Sequence, residues 1–300
     1  MKNLKNQRVG VLCGGTSSER EISLKSGKAV YNSLKKLGLK TVLIDADKNV
    51  AQKIIKAKID IAFITLHGPM GEDGTIQGML EIMGIPYTGC GVFSSSASMD
   101  KIVSKQIFEY FKIPTPEWFI IEKFKPVDEV KYPVVVKPAS QGSAIGISIV
   151  KNGKEFPKAV KNAFSYDDKI LVEKYIKGTE ITAGVLNGNP LPVIEIVPEG
   201  KFYDFKSKYT VGKSKHIIPP RLPQKVISEI QAVAVKVYKA FQCKSTCRVD
   251  MIVDKNNGIW VLELNTLPGM TETSLFPDAA RAAGMSFEDL VSEILKSAVR

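Results

Sequence analysis

The feature that most constrains this chain is a pair of short runs in its last third, Arg248-Val-Asp250 and Glu263-Leu-Asn265, with two adjacent asparagines, Asn256-Asn257, between them. Adjacent asparagines suit a two-residue turn whose central residues take positive φ, so the runs read as an antiparallel hairpin. A hairpin centred there sets Val249 opposite Leu264, Met251 opposite Leu262 and Val253 opposite Trp260, which makes one face wholly apolar. The other face sets Asp250 opposite Glu263 and Arg248 opposite Asn265. A slip of one residue would mix the two sets and bury charge, so the pattern supports the register, with Gly258 leaving room for a longer turn. Carboxylates facing each other across a sheet repel. Something positive belongs between them, and Arg248 supplies part of it. Oxygen donors alone (Asp250, Glu263, Asn265) suit Mg²⁺ carrying phosphate oxygens rather than zinc. The competing reading is a solvated polar face.

The rest of the chain supplies a setting for such a site. With 300 residues, about two domains or three small ones are expected. The first part, residues 1–94, alternates strand and helix patterns. Strands are expected at Arg8–Cys13, Thr41–Ile44 and Ile61–Thr65, and helices at Glu21–Leu37, Ala51–Lys58 and Thr75–Met83. This alternation predicts a parallel α/β sheet whose ligands collect beyond the strand ends, where Gly14–Glu21 and Leu66–Gly74 fall. A second unit, 95–177, carries a helix at Lys101–Phe111, strands at Trp118–Ile121, Val134–Lys137, Ile147–Val150 and Ile170–Tyr175, and a helix at Lys154–Ala163. A third, 178–300, carries strands at Thr179–Leu186 and Leu191–Val197, a helix at Lys225–Phe241, the hairpin and C-terminal helices. The polar stretch Glu199–Pro220, with Tyr203, Lys206, Lys208, Tyr209 and Lys213, lacks periodicity and reads as a functional loop, a lid over anionic ligands.

Two further segments suit phosphate and base. Lys137 ends an apolar strand and is followed by Gly142-Ser143-Ala144-Ile145-Gly146. Glycine N–H groups can cradle phosphate there, although an ordinary hairpin turn would look the same. The lysine precedes the glycines, so this is not a P-loop, and no G-x-G-x-x-G follows the first strand. Glu173-Lys174-Tyr175-Ile176 ends another strand, whose backbone could bond a base edge with Glu180 accepting from ribose, or could be a plain edge strand.

Composition removes other classes. Lys and Arg outnumber Asp and Glu by 42 to 31, but without a basic block or base-stacking residues, so no nucleic-acid partner is expected. No apolar run reaches the ~18 residues of a membrane span. The polar start runs straight into a strand, so neither membrane attachment nor export is expected, and a cytoplasmic location follows. Cys13, Cys90, Cys243 and Cys247 form no CxxC pair and read as free thiols.

Taken in order, these segments resemble the D-alanine–D-alanine ligases of the ATP-grasp superfamily. The matching pieces are Gly14-Gly-Thr-Ser-Ser-Glu19-Arg-Glu, His67-Gly-Pro-Met-Gly-Glu-Asp-Gly74, Met99-Asp-Lys101, Val136-Lys137-Pro with Gly142-Ser143, Tyr203-Asp-Phe-Lys-Ser-Lys208-Tyr209, Arg248-Val-Asp250, and Glu263-Leu-Asn265 through Gly269 to Ser274-Leu275. They span nearly the whole chain. The resemblance implies an α/β, three-domain ATP-grasp architecture, α+β in its ATP-binding lobes, and the ligation of two D-alanines with ATP through an acyl phosphate for peptidoglycan. It implies Mg²⁺, two ions with Mn²⁺ as a substitute, on Asp250, Glu263 and Asn265. Lys101, Lys137 and Lys208 would hold ATP phosphates beneath the Gly142-Ser143 loop. Glu173, Lys174 and Ile176 would take adenine, and Glu180 the ribose. Glu19 and His67 would meet the first D-alanine, Ser274 and Leu275 the second. Arg248 and the Gly269 N–H would stabilise charge on the reacting carbon. Tyr209 would link Glu19 and Ser143, and its phenol would favour an amine over a hydroxy-acid acceptor. Relatives are commonly homodimers. One departure is Ala144, where many relatives carry a serine; the backbone cradle is expected to tolerate it. Two rival readings are another ATP-grasp carboxylate–amine or depsipeptide ligase, and a basic nucleic-acid-binding protein.

Overall fold

The computed structural model describes residues 4–123, 129–142, 144–198, 214–271 and 273–299. The N-terminal part is a parallel sheet of β1 (Arg8–Cys13), β2 (Lys40–Asp45) and β3 (Ile61–Ile64) in the order β2-β1-β3, with helices Arg20–Lys36, Val50–Ala57 and Thr75–Ile82 in the connections. Val9, Val11 and Leu12 are fully buried because a sheet covered by helices has no wet face. The expected alternation is therefore present, within a residue or two at each boundary.

Next come helices Val92–Met99 and Lys101–Tyr110, then an antiparallel sheet of β4 (Trp118–Glu122), β5 (Val134–Pro138), β6 (Ser148–Val150) and β7 (Lys169–Lys174) in the order β4-β7-β5-β6, backed by helix Phe156–Ala163. The last part carries β8 (Gly178–Leu186), β9 (Asn189–Pro190), β10 (Ile194–Pro198), β11 (Ser214–Ile217), β12 (Thr246–Asp254) and β13 (Ile259–Asn265). Their order is β11-β10-β8-β12-β13, with β9 on β8. Helices Gln224–Ala240, Leu275–Ala282 and Phe287–Ser297 complete it. Among the described residues no helix is long and apolar enough to cross a membrane.

Two cores decide where the site sits. Ile181, Ala183, Val185, Val249, Met251 and Val253 alternate inward on β8 and β12 and meet Ile230, Ala234 and Val237 of helix Gln224–Ala240. Phe108 joins this core and lies 5.5 Å from Phe241, centroid to centroid. The opposite face of β8 and β12, with Glu180, Thr182, Arg248 and Asp250, is left for polar work. A second core joins Val30 and Leu34 of helix Arg20–Lys36 to Phe276, Leu290 and Leu295. The C-terminal helices thereby dock on the N-terminal part and bring Ser274 toward Glu19.

The hairpin keeps part of its expected register and loses the rest. Arg248 faces Asn265, Val249 faces Leu264 and Asp250 faces Glu263, as expected. Beyond that point the pairing shifts, and Met251 faces Val261 while Val253 faces Ile259. Leu262 is the extra residue of a β-bulge. The reason is burial: the bulge returns Val261 and Ile259 to the core face, where they are 0% and 8% exposed, and leaves Leu262 and Trp260 half-buried. The connection is also longer than two residues. Asp254 and Gly258 close it, Asn257 takes φ of 64°, and Asp254 Oδ1 accepts from the N–H groups of Asn256 and Gly258. Besides the short β9, two elements go beyond the sequence reading. Helix Val92–Met99 is serine-rich and lacks apolar periodicity, and is held partly by Ser94, which donates to the Gln242 carbonyl at 3.1 Å. Strand β11 lies inside the stretch read as a loop.

Candidate active site

A cavity of about 500 Å³ opens where the three sheets' loops converge. Its lining includes Glu19, His67, Lys101, Gly142, Arg248, Glu263, Asn265, Gly269, Ser274 and Leu275, residues drawn from nearly the whole length of the chain. Asp250 flanks it on the hairpin. Lys137, Glu173, Lys174, Ile176 and Glu180 stand outside the described lining, on β5, β7, β8 and the β7–β8 link. Ser143, Lys208 and Tyr209 lie outside the described residues, as do Tyr203, Lys206 and Lys213.

The N-terminal wall is built by the loop after β1. Glu19 occupies the position before helix Arg20–Lys36 without a side-chain capping bond and is 5% exposed, and its N–H donates to Ser17 Oγ at 3.2 Å. Ser17 Oγ donates in turn to the His67 carbonyl at 2.7 Å, tying the loops after β1 and β3 together. Arg20 fixes the same loop by a two-pronged pair with Asp45 at 2.8 and 2.7 Å and a bond to the Gly15 carbonyl at 2.9 Å. Those hydrogen bonds hold the Asp45 carboxyl below the usual carboxylate range. Gly14 takes φ of 79°, which strains a residue with a β-carbon, and a β-carbon there would meet Asp45 Oδ1 at 2.2 Å, so the position favours glycine. His67 stands beside Glu72, Nδ1 to Oε1 3.7 Å, while its Nε2 is buried with no hydrogen-bond partner among the described residues.

Lys101 begins its helix behind Asp100, whose Oδ1 accepts from the N–H of Ile102 and Val103. Its backbone N–H donates to Ala139 and its ammonium to the Gln141 carbonyl, so Lys101 is fastened to the glycine-bearing loop. A β-carbon on Gly142 would lie 3.7 Å from Glu19 Oε2, so this loop reaches across to the N-terminal wall. Ala144 adopts φ of 60°, unusual for a residue with a β-carbon.

On the hairpin face Arg248 grips Asp250 through both carboxylate oxygens, at 2.9 and 2.8 Å, and Thr182 Oγ1 donates to Asp250 Oδ1 at 2.6 Å. Glu263 is the cross-strand neighbour of Asp250, and Asn265 Oδ1 accepts from the Leu267 N–H at 3.0 Å. The three oxygen-bearing side chains therefore share one face beside the cavity. Among the described residues no three acidic, histidine or cysteine side chains gather at a point; this face offers two carboxylates and an amide. Such a partial set fits an ion whose remaining ligands are phosphate oxygens and water.

The far end is shaped by Ser274, first residue before helix Leu275–Ala282. Its Oγ accepts from the Thr271 N–H at 3.1 Å and lies 2.7 Å from Thr271 Oγ1. A β-carbon on Gly269 would stand 2.8 Å from that Oγ, which favours glycine there. A helix N-terminus suits a carboxylate.

Glu173 and Lys137 are not open to the cavity. They form a buried cluster in which Glu173 lies between the ammonium groups of Lys137 and Lys105. Lys174 is exposed and stands 3.8 Å from Glu117. Lys105, Thr182 and Thr271 were not singled out by sequence reasoning. Lys105 had a signal: it follows Lys101 by one helical turn, on the helix face that also buries Ile102 and Phe108.

Models of two families match the chain, described as "D-ala D-ala ligase N-terminus" over residues 47–90 and "D-ala D-ala ligase C-terminus" over residues 106–296. The D-alanine–D-alanine ligase of Carboxydothermus hydrogenoformans is 49% identical, covering 96% of this chain and 97% of its own. That of Syntrophotalea carbinolica is 46% identical, covering 99% and 98%. The crystal structure of the Bacillus anthracis D-alanine–D-alanine ligase complexed with ATP superposes with a TM-score of 0.85 at 36% identity, covering 98% of each chain.

Proposed function

The chain belongs to the D-alanine–D-alanine ligase family and joins two D-alanines with ATP, supplying a dipeptide for peptidoglycan, and from that premise we propose that the cavity bounded by Glu19, Arg248 and Ser274 houses both chemical steps. The observation that carries this reading is the convergence on one cavity of Glu19, His67, Lys101, Arg248, Glu263, Asn265, Gly269 and Ser274.

A carboxylate resists attack by an amine because its leaving group would be oxide. In the first step a carboxylate oxygen of the first D-alanine attacks the γ-phosphorus of ATP. The bond to the β–γ bridging oxygen breaks, and ADP leaves with those electrons. The product is an acyl phosphate. In the second step the amine of the second D-alanine attacks its carbonyl carbon, and inorganic phosphate departs. Phosphoryl transfer of this kind depends on positioning and charge neutralisation.

Glu19, with His67 beside it, holds the ammonium of the first D-alanine. Ser274, Leu275 and the helix N-terminus behind them hold the carboxylate of the second. Lys101 and Lys137, with Lys208, bind the phosphates, and Gly142 and Ser143 close over them. Glu173, Lys174 and Ile176 meet adenine, and Glu180 the ribose. Asp250, Glu263 and Asn265 hold Mg²⁺, which supplies neutralisation of the β- and γ-phosphate charge. Arg248 then has two states, paired with Asp250 or turned to the negative charge on the reacting carbon, which the Gly269 N–H would also stabilise; one such donor is worth about 3 kcal/mol. Tyr209 links Glu19 to Ser143 as a closing contact.

Three coarser proposals accompany these roles. The chain divides near residues 94 and 177, which limited proteolysis tests. The enzyme works in the cytoplasm, where ATP is available. It forms a homodimer through adjacent helices Thr75–Ile82, Val92–Met99 and Lys101–Tyr110, which expose Ile82, Phe93, Tyr110 and the following Phe111; sedimentation tests it. The decisive assay is phosphate release with ATP and Mg²⁺, run with D-alanine, L-alanine and D-lactate. Release with D-alanine alone is expected. Tyr209→Phe is expected to raise the KM for D-alanine more than that for ATP, and an unchanged KM for D-alanine removes the closing contact.

A further inference from the structure

One buried lysine, Lys105, has no part in the chemistry above. It lies one turn beyond Lys101, and its side chain is 1% exposed. Its ammonium is 2.7 Å from Glu173 Oε2 and donates to Thr115 Oγ1 at 2.5 Å. Thr115 Oγ1 donates onward to the Val261 carbonyl at 2.8 Å, so the lysine is braced against the bulged strand. Lys137 pairs with the other oxygen, Glu173 Oε1. One buried carboxylate therefore has an ammonium beside each oxygen; the Lys105 contact is an ion pair by distance without hydrogen-bond alignment, since Glu173 Oε2 accepts no hydrogen bond among the described residues. The two differ in access: Lys105 is sealed, while the side chain of Lys137, at the end of β5, keeps 9% of its surface.

We propose that Lys105 is a positioning residue for the nucleotide, the fixed counter-ion that keeps Glu173 ionised when Lys137 turns to the triphosphate. This rests on the reading above in which Lys137 meets phosphate and Glu173 meets adenine. Two ammonium groups and one carboxylate carry a surplus positive charge. That surplus can be given to a phosphate only if the pair left behind is neutral. Without Lys105, the departure of Lys137 would strand a bare carboxylate out of water, which is strongly unfavourable. The carboxyl would take up a proton instead. A protonated Glu173 is also a different partner for a base, since it presents a hydroxyl donor where an amino group needs an acceptor.

Burial alone would raise the Glu173 carboxyl, but Lys105 and Lys137 hold it below the usual range, while burial, the largest effect on Lys105, lowers its ammonium against the pull of Glu173. The charged groups facing Glu173 are Lys105 from helix Lys101–Tyr110 and Lys137 from β5. Glu109, on the next turn of that helix, acts on Lys105 and is itself bonded to Trp118 Nε1 of β4 at 2.8 Å.

Calorimetric titration of ATP with Mg²⁺ into the full chain, without D-alanine, tests this in buffers of different ionisation enthalpy at mildly alkaline pH. Lys105→Met leaves a neutral Lys137–Glu173 pair in the unliganded enzyme, so it is expected to fold. It should bind ATP about tenfold more weakly and take up about one more proton per ATP than the wild type. Its KM for D-alanine at saturating ATP should change less than about twofold. Lys105→Met with Glu173→Gln should lose the extra proton. Unchanged affinity and proton count in Lys105→Met overturn the proposal. If that variant does not fold, the double variant is compared with Glu173→Gln alone: equal ATP affinity supports the proposal, and a further tenfold loss overturns it. Lys137→Met separates the two levels. If it binds ATP normally, the phosphate reading itself fails; if it weakens ATP while Lys105→Met does not, only the counter-ion proposal fails.

Discussion

The hairpin face and the cluster beneath β7 use the same chemistry in opposite proportions. On the hairpin two carboxylates, Asp250 and Glu263, are cross-strand neighbours, and one arginine, Arg248, grips Asp250. In the cluster two lysines, Lys105 and Lys137, share one carboxylate, Glu173. Among these groups the first set has a surplus of negative charge and the second a surplus of positive charge. On the reading proposed here the first attracts metal ions and the second phosphates, the two halves of one magnesium–nucleotide complex. Access differs as well. Glu263 lines the cavity, whereas Glu173 is 2% exposed. Removing a group from the hairpin face should therefore damage catalysis first, and removing Glu173, the one carboxylate of the cluster, should damage the fold first.

The sharpest attempt to break that contrast is Glu263→Gln. Turnover should fall about a thousandfold, a loss of several kcal/mol of charge stabilisation, with the melting temperature nearly unmoved. Near-normal turnover would remove the metal from the hairpin. Glu173→Ala is its counterpart. It leaves two buried ammonium groups facing each other without a carboxylate, and urea denaturation should show a loss of roughly 3–5 kcal/mol. A loss within about 0.5 kcal/mol would mean the cluster is wet and the contrast false.

A third effect is smaller and depends on pH. The folded Glu173 carboxyl is held below its ordinary value because the effect of the two ammonium groups outweighs that of burial. As pH falls, the unfolded chain binds this proton first, at about 4.3, so the stability the group contributes is complete above that value and is lost as pH drops toward the folded value. Wild-type stability should fall below about pH 5, and Glu173→Gln should fall less steeply, by about one proton in the slope. Equal slopes would contradict the ion pairing. The smallest effect is expected at Lys174, whose partner Glu117 is 3.8 Å away and largely exposed. Lys174→Ala should cost less than about 0.5 kcal/mol of stability. Any change at that position should then appear in the KM for ATP.

Much of the hairpin was legible because period-two alternation labels both faces at once. Asp250 opposite Glu263 and Arg248 opposite Asn265 follow from it. The bulge was not legible, since Val261 and Leu262 are both apolar and either could face inward until the core chooses. Helix Val92–Met99 was missed because its serines carry no apolar stripe, although Ser94 and Ser95 are buried. Lys105 and Glu173 were not connected because 68 positions separate them, and no local pattern reports an ion pair of that kind.

The sequence by itself determined the alternation of elements, the two faces of the hairpin and the set of polar residues available for chemistry, because each is written in short-range periodicity or in motifs a few residues long. Tertiary structure alone decided which lysine is sealed and which is reachable, where β13 takes its extra residue, and that Gly142 comes to rest beside Glu19. Those outcomes depend on burial and on charges meeting across distant segments, and both terms exist only once the chain has closed on itself.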